Sequence, residues 1–145
     1  CGIAVAEVRI IPDVEKTIVE NIRLLSKKFN YVFTTGGIGP THDDITSQSI
    51  SKAFNDKLVL NKIAKKRLEK HYSDETLTSA RLKMAYLPSK SIIIDNPVSI
   101  APGFSIENVH VFPGVPKIFQ VMLKEFIKKV DDKTFSNSLL SVIPK

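Results

Sequence analysis

Tyr31-Val32-Phe33-Thr34-Thr35-Gly36-Gly37-Ile38-Gly39-Pro40-Thr41-His42-Asp43-Asp44-Ile45-Thr46 is the stretch that decides the fold. Tyr31 to Phe33 read as a short buried strand that ends at Thr34 and Thr35. The glycines at 36, 37 and 39 then turn the chain, and Ile45, Ile50 and Ala53 mark the inner stripe of a helix running toward Phe54. Either Thr46 or Asp44 is expected to cap that helix. Upstream, Ile3 to Ile11 reads as a strand ended by Pro12. Asp13 is expected to cap a helix through about Lys28, with Ile18, Ile22, Leu25 and Phe29 on its buried stripe. Strand, helix and strand in that order predict a three-layer α/β/α fold with a mostly parallel central sheet.

Downstream, the pattern predicts a helix over about Val59 to His71 and a shorter one over Asp74 to Ala85, stopped by Pro88. Ser91 to Asp95 reads as a strand interrupted at Asn96-Pro97, and Pro102-Gly103 as a turn. Asn108 to Phe112 is the next strand. After Pro113-Gly114, the spacing of Val115, Ile118, Phe119, Met122, Leu123 and Phe126 predicts an amphipathic helix to about Lys129. No repeat or low-complexity linker divides residues 1–145, so one domain is expected. A strand starts almost at Cys1, and Leu139 to Ile143 reads as a strand cut short. The expectation is therefore a domain truncated at both ends.

A hydrophobic fraction of 43% with 25% charged residues belongs to an ordinary globular chain and argues against disorder. The strongly apolar stretches, Leu139 to Ile143 and Ser91 to Ile94, fall far short of the roughly 20 residues that cross a bilayer. Cys1 is the only cysteine and has no internal disulfide partner, which sets the expectation of a reducing cytoplasm. The net charge of +6 favours phosphate-bearing ligands. Much of it lies in Lys62 to Lys70, where charge and apolar residues alternate at helical spacing. That pattern reads as a solvated helix face, and no specific nucleic-acid binding is expected.

Glycines let backbone N–H groups approach an anion, and the helix that follows adds unpaired donors. The turn matches neither the Walker pattern nor the dinucleotide fingerprint. Asp43 and Asp44 add what glycine geometry does not need: two carboxylates able to hold magnesium or orient an attacking group. Capping accounts for one of them, not both. Thr35 and Thr41 offer hydroxyls to a ligand at the same strand end, and His42 could donate to a phosphate.

Phe112-Pro113-Gly114-Val115-Pro116 is a second strand–glycine–helix turn. Gly114 allows close backbone approach, and Pro116 suits the first helical turn. In a parallel sheet the two turns share the carboxyl edge, where open α/β folds bind ligands. Asp95 and Asn96 are expected to reach that edge too. Asn96 could read a polar ring or ribose and Asp95 could share a metal; an Asx turn before Pro97 is the alternative. His71 and His110 show no metal-ligand spacing.

Together, Thr34 to Thr46 and Phe112 to Pro116 resemble the molybdopterin-binding domain family. That family includes molybdopterin adenylyltransferases and the corresponding domains of competence/damage-inducible protein A and eukaryotic FAD synthases. Pro40-Thr41 followed by two aspartates is more similar to the latter two. The resemblance implies a homo-oligomer, with molybdopterin or an adenine nucleotide over the glycine-rich edge and magnesium at Asp44 and Asp43. Asp44 matches the aspartate that supports adenylyl transfer in the adenylyltransferases. Gly36, Gly37 and Gly39 match the backbone-binding positions, and Gly114 with Pro116 matches the second family turn. The competence-protein branch implies instead hydrolysis of the pyrophosphate in ADP-ribose or related nucleotides. A non-catalytic ligand-binding or regulatory module is the third alternative. Two departures stand out: the family domain ordinarily starts with a further strand, an acidic glycine loop and a helix ahead of the position of Cys1, and Ser99 stands where this branch commonly has glycine.

Overall fold

Strand β1 (Val5–Ile11) leads through helix α1 (Glu15–Lys28) to β2 (Tyr31–Thr35), and the glycine-rich turn then opens into α2 (Thr46–Ala53). The computed structural model describes residues 4–73, 76–131 and 139–144. The order continues with β3 (Leu58–Leu60), α3 (Lys62–His71), α4 (Ser79–Leu82), a 3-10 turn over Lys83–Ala85, and β4 (Tyr86–Pro88). The remaining elements are β5 (Ile92–Ile94), β6 (Gly103–Ile106), β7 (Val109–Phe112), α5 (Pro116–Asp131) and β8 (Leu139–Pro144).

The main sheet has the order β1-β8-β2-β7-β6-β5, and β3 and β4 form a separate ribbon. The expected mostly parallel sheet is corrected here to a mixed one. Three pairings are parallel, β1 with β8, β8 with β2 and β2 with β7. Three are antiparallel, β5 with β6, β6 with β7 and β3 with β4. The cause lies in chain length between strands: only Glu107 and Asn108 separate β6 from β7, and so short a link permits an antiparallel hairpin but no parallel crossover. Glu107 adopts φ 49° to make that turn. Gly103, expected only as part of a turn, begins β6, where a Cβ would stand 2.5 Å from the Val111 carbonyl oxygen.

Other boundaries moved for local reasons. No side chain caps α1, whose N-cap is the extended Val14 rather than Asp13. Nor does Thr46 or Asp44 cap α2, whose N-cap is Ile45. The helix expected from Val59 is shorter, because Leu58 to Leu60 pair with β4 and Asn61 caps α3 by accepting from the N–H groups of Ile63 and Ala64, both at 3.0 Å. The helix expected from Asp74 reduces to α4 and its 3-10 extension; residues 74 and 75 lie outside the described residues.

Alternation along β2 and β7 separates two cores. Val32, Val109 and Val111 join Ile18, Ile22 and Leu25 of α1, Ile50 and Ala53 of α2, and Ala64 and Leu68 of α3. Phe33 and Phe112 face the other way onto Met122, Phe119 and Phe126 of α5. This makes the third layer. His110 sits on the α5 side at 7% exposure, its Nδ1 paired with Ser105 Oγ at 2.7 Å and its ring 4.5 Å from that of Phe126. Burial pushes its pKa down to about 4, so it is neutral. Arg23 of α1 anchors the far end of α2, donating to the Ala53 and Lys52 carbonyls at 2.9 and 3.1 Å. Among the described residues no helix is long and apolar enough to cross a membrane.

Candidate functional site

Parallel pairing of β2 with β7 sets Thr35 opposite Phe112, so the two glycine turns leave the sheet side by side. They are stitched together at once. The Gly36 N–H donates to the Phe112 carbonyl at 3.0 Å, and the buried Thr35 hydroxyl donates to the Pro113 carbonyl at 2.8 Å. A Cβ on Gly114 would stand 2.9 Å from Gly36 Cα, so the glycine at 114 lets the backbones touch. Gly36 and Gly37 adopt φ 101° and 65°, values that favour glycine. Gly37 is doubly constrained: its carbonyl accepts from the Thr46 N–H at 2.9 Å, and a Cβ there would lie 2.1 Å from Thr46 Oγ1.

A cavity of about 330 Å³ opens over this junction. The first turn contributes Gly36 to Pro40 and Asp44, the second Pro113 to Val115, and the rest of the wall is Met84, Ser99, Ala101 and Ile118. Gly36 spends its N–H on Phe112, but the N–H groups of Gly37, Ile38 and Gly39 have no acceptor among the described residues. Three consecutive free donors at a cavity wall, just ahead of a helix N-terminus, suit an anion. Thr46 Oγ1, close to Gly37, and Thr34 Oγ1 are buried without a hydrogen-bond partner among the described residues.

Asp44 lines the cavity and also braces the loop. Its Oδ2 accepts from the Thr41 N–H at 2.9 Å and from the Thr41 hydroxyl. A Cβ on Gly39 would meet that same oxygen at 2.7 Å, so the glycine lets the carboxylate fold in. Asp43 is exposed and lies outside the cavity lining. The nearby Thr41 hydroxyl, although it donates to Asp44, together with the backbone N–H of Asp43 and the charges of His42 and Lys83, holds the Asp43 carboxyl below the usual range. Asp13, at the end of β1, belongs to the same neighbourhood: burial first, then the charges of Asp43 and Asp44, push its carboxyl up. These acids do not make a metal cage. Among the described residues no three His, Cys, Asp or Glu side chains are placed to hold an ion, and one Asp44 oxygen is already occupied by Thr41. The residues present do not fit a magnesium ion held by this chain alone.

The remaining expected residues have internal duties. Thr41 is turned onto Asp44. Asn96 uses its whole side chain within its loop, donating to Ser99 Oγ and the Ala101 carbonyl at 2.7 and 2.8 Å and accepting from the N–H groups of Val98 and Ser99 at 3.0 and 2.9 Å. It thereby shapes the segment whose Ser99 and Ala101 line the cavity. Asp95 pairs with Arg67 at 2.7 Å. Pro116 starts α5 without lining the cavity. Met84 and Asp13 were missed by sequence reading. Met84 carries no chemical signature, and Asp13 reads as a cap.

Residues 1–133 match the family model described as "Probable molybdopterin binding domain". The chain belongs to the molybdopterin-binding domain family. Within the family it groups with the competence-damage inducible proteins. One such protein from Clostridium botulinum strain 657 is 34% identical over 154 residues, covering 97% of this chain and 37% of its own length. A protein from Archaeoglobus fulgidus is 36% identical over 141 residues, covering 97% of this chain and 60% of its own. The chain thus spans about two fifths to three fifths of these relatives. The crystal structure of CinA from Thermoplasma acidophilum, described as of unknown function, superposes with a TM-score of 0.73 at 34% identity, covering 81% of this chain and 73% of that one.

Proposed function

We propose that the glycine edge binds the phosphate of an adenine nucleotide or of molybdopterin, and that the whole protein cleaves a phosphoanhydride there. The observation that carries this reading is the run of unused N–H groups at Gly37, Ile38 and Gly39 beside the Asp44 carboxylate. Donors fixed in place before charge develops stabilise it without reorganisation. In this reading the phosphate rests on Gly37 to Gly39, with the ring system against Met84 and Ile118. Asp44 orients the attacking water or the transferring group. Among these ligands the competence-protein branch favours the pyrophosphate of an ADP-ribose-like nucleotide over adenylyl transfer to molybdopterin. The chemistry asked of the chain is positioning and electrostatics. It uses neither a histidine base nor a serine nucleophile.

The test is a calorimetric panel of ADP-ribose, ATP, FAD and molybdopterin, with and without magnesium, alongside phosphate release and mass spectrometry. The protein and its Asp44→Ala variant are compared. Binding by both with turnover only by the parent supports the reading. Binding without turnover by the full-length protein points instead to a non-catalytic module. No binding of any of the four contradicts the proposal.

A further inference from the structure

Pro40 belongs to two cavities. On one side lies the glycine cavity of about 330 Å³; on the other a wider cleft of about 870 Å³ runs between Pro40 to His42 and the segment Thr76 to Lys83. The first is at the low end of the roughly 300–1,000 Å³ typical of small-molecule sites. A ligand larger than one nucleoside monophosphate must extend past its rim, and Pro40 is a shared rim.

The cleft wall is basic. Arg81 and Lys83 both line it, with His42 and Ser79, and among the described residues no carboxylate does. Neither cation has a carboxylate within 4.0 Å among the described residues. Both are nevertheless held. The Arg81 guanidinium lies over the Tyr72 ring at 4.5 Å from its centroid and donates one bond, to the Thr76 carbonyl at 2.6 Å. Lys83 donates to the carbonyl of Thr41, in the glycine-rich loop itself. Its charge helps hold Asp43 ionised, yet the two form no ion pair. An arginine fixed by stacking, with most of its fork unspent among the described residues, is organised for an oxyanion before one arrives. The lysine ties that cleft to the loop that carries the free N–H groups.

We infer that the Arg81–Lys83 cleft is a second anion subsite, taking the phosphate or phosphates beyond the first in a nucleotide whose first phosphate rests on Gly37 to Gly39. The inference rests on the proposed function for its first phosphate. It assigns the cleft to the distal end of the ligand and makes Arg81 and Lys83 the residues that distinguish a polyphosphate from a monophosphate.

The test titrates AMP, ATP and inorganic tripolyphosphate into the protein without magnesium. It uses the parent, Arg81→Gln/Lys83→Gln and the charge-conserving Arg81→Lys, with circular dichroism confirming equal folding. The expected result is that the parent binds ATP at least about tenfold tighter than AMP, the scale of one hydrogen bond to a charged group. The double variant brings that ratio to about one, and Arg81→Lys retains most of it. A parent ratio near one, or a ratio that survives the double substitution, overturns the subsite. If neither nucleotide binds but tripolyphosphate binds and the double variant loses it, the subsite stands and the nucleotide reading falls. If none of the three binds, both fall.

Discussion

The turn after β2 and the turn after β7 follow the same plan, a buried strand running through glycine into a helix, yet they use glycine for opposite reasons. In the first, Gly36 and Gly37 sit at positive φ and bend the backbone so that consecutive N–H groups are left unused. In the second, Gly114 is not at positive φ; its missing Cβ makes room for Gly36 at 2.9 Å. One turn is shaped for donors, and the other is thinned so that the first can rest against it. The site is therefore a property of the pair, and the carboxylate belongs to the first turn alone.

Substitutions should separate those roles. The largest effect is expected for Gly37→Ala, where a left-handed alanine costs about 1–2 kcal/mol and the overlap with Thr46 adds a packing penalty of about 1–3 kcal/mol. Urea denaturation should show a loss of about 2–5 kcal/mol, and adding Thr46→Ala should recover part of it; strictly additive losses would mean that the Thr46 contact is not the cause. Gly114→Ala carries only the packing penalty, about 1–3 kcal/mol, but should abolish nucleotide binding by prising the turns apart. Affinity equal to the parent's would show that the first turn works alone. Thr35→Val removes the buried tie to the Pro113 carbonyl and should cost about 1 kcal/mol, with a several-fold weaker ligand affinity. Least for stability is Asp44→Asn. The amide oxygen can still accept from Thr41, so unfolding should shift by no more than about 0.5 kcal/mol while turnover of the full-length protein falls. A large destabilisation with unchanged turnover would reduce Asp44 to a loop brace.

Much of this pair was legible in the chain itself. The apolar period of Val115 to Phe126 located α5, and Tyr31 to Thr35 located the strand that carries the first turn, because burial on one face imposes those periods directly. The strand–helix–strand order suggested a mostly parallel sheet, which the structure corrects to a mixed one with β8 inserted between β1 and β2. What escaped was set by partners distant in sequence. Val59 and Leu60 look helical until β4 supplies their backbone bonds, and Gly103 looks like a turn until β7 lies beside it. The mixed sheet follows from the same hairpin. At the site, glycine spacing located the two turns that meet at the cavity, but not the division of labour within them. That Thr41 spends both its donors on Asp44, or that Asn96 serves its own loop, depends on rotamers no spacing reveals. Asp13 is the reverse case: a residue whose local reading as a cap hid its place beside Asp43 and Asp44.

In the proposed function the unused N–H groups of Gly37, Ile38 and Gly39 hold a phosphate against the second turn. The most direct measurement is a crystal structure of the protein with ADP-ribose. A phosphate oxygen is expected within hydrogen-bonding distance of at least two of those three N–H groups, facing Gly114. Phosphates seated elsewhere, with the Gly37 to Gly39 donors turned to water, would contradict it.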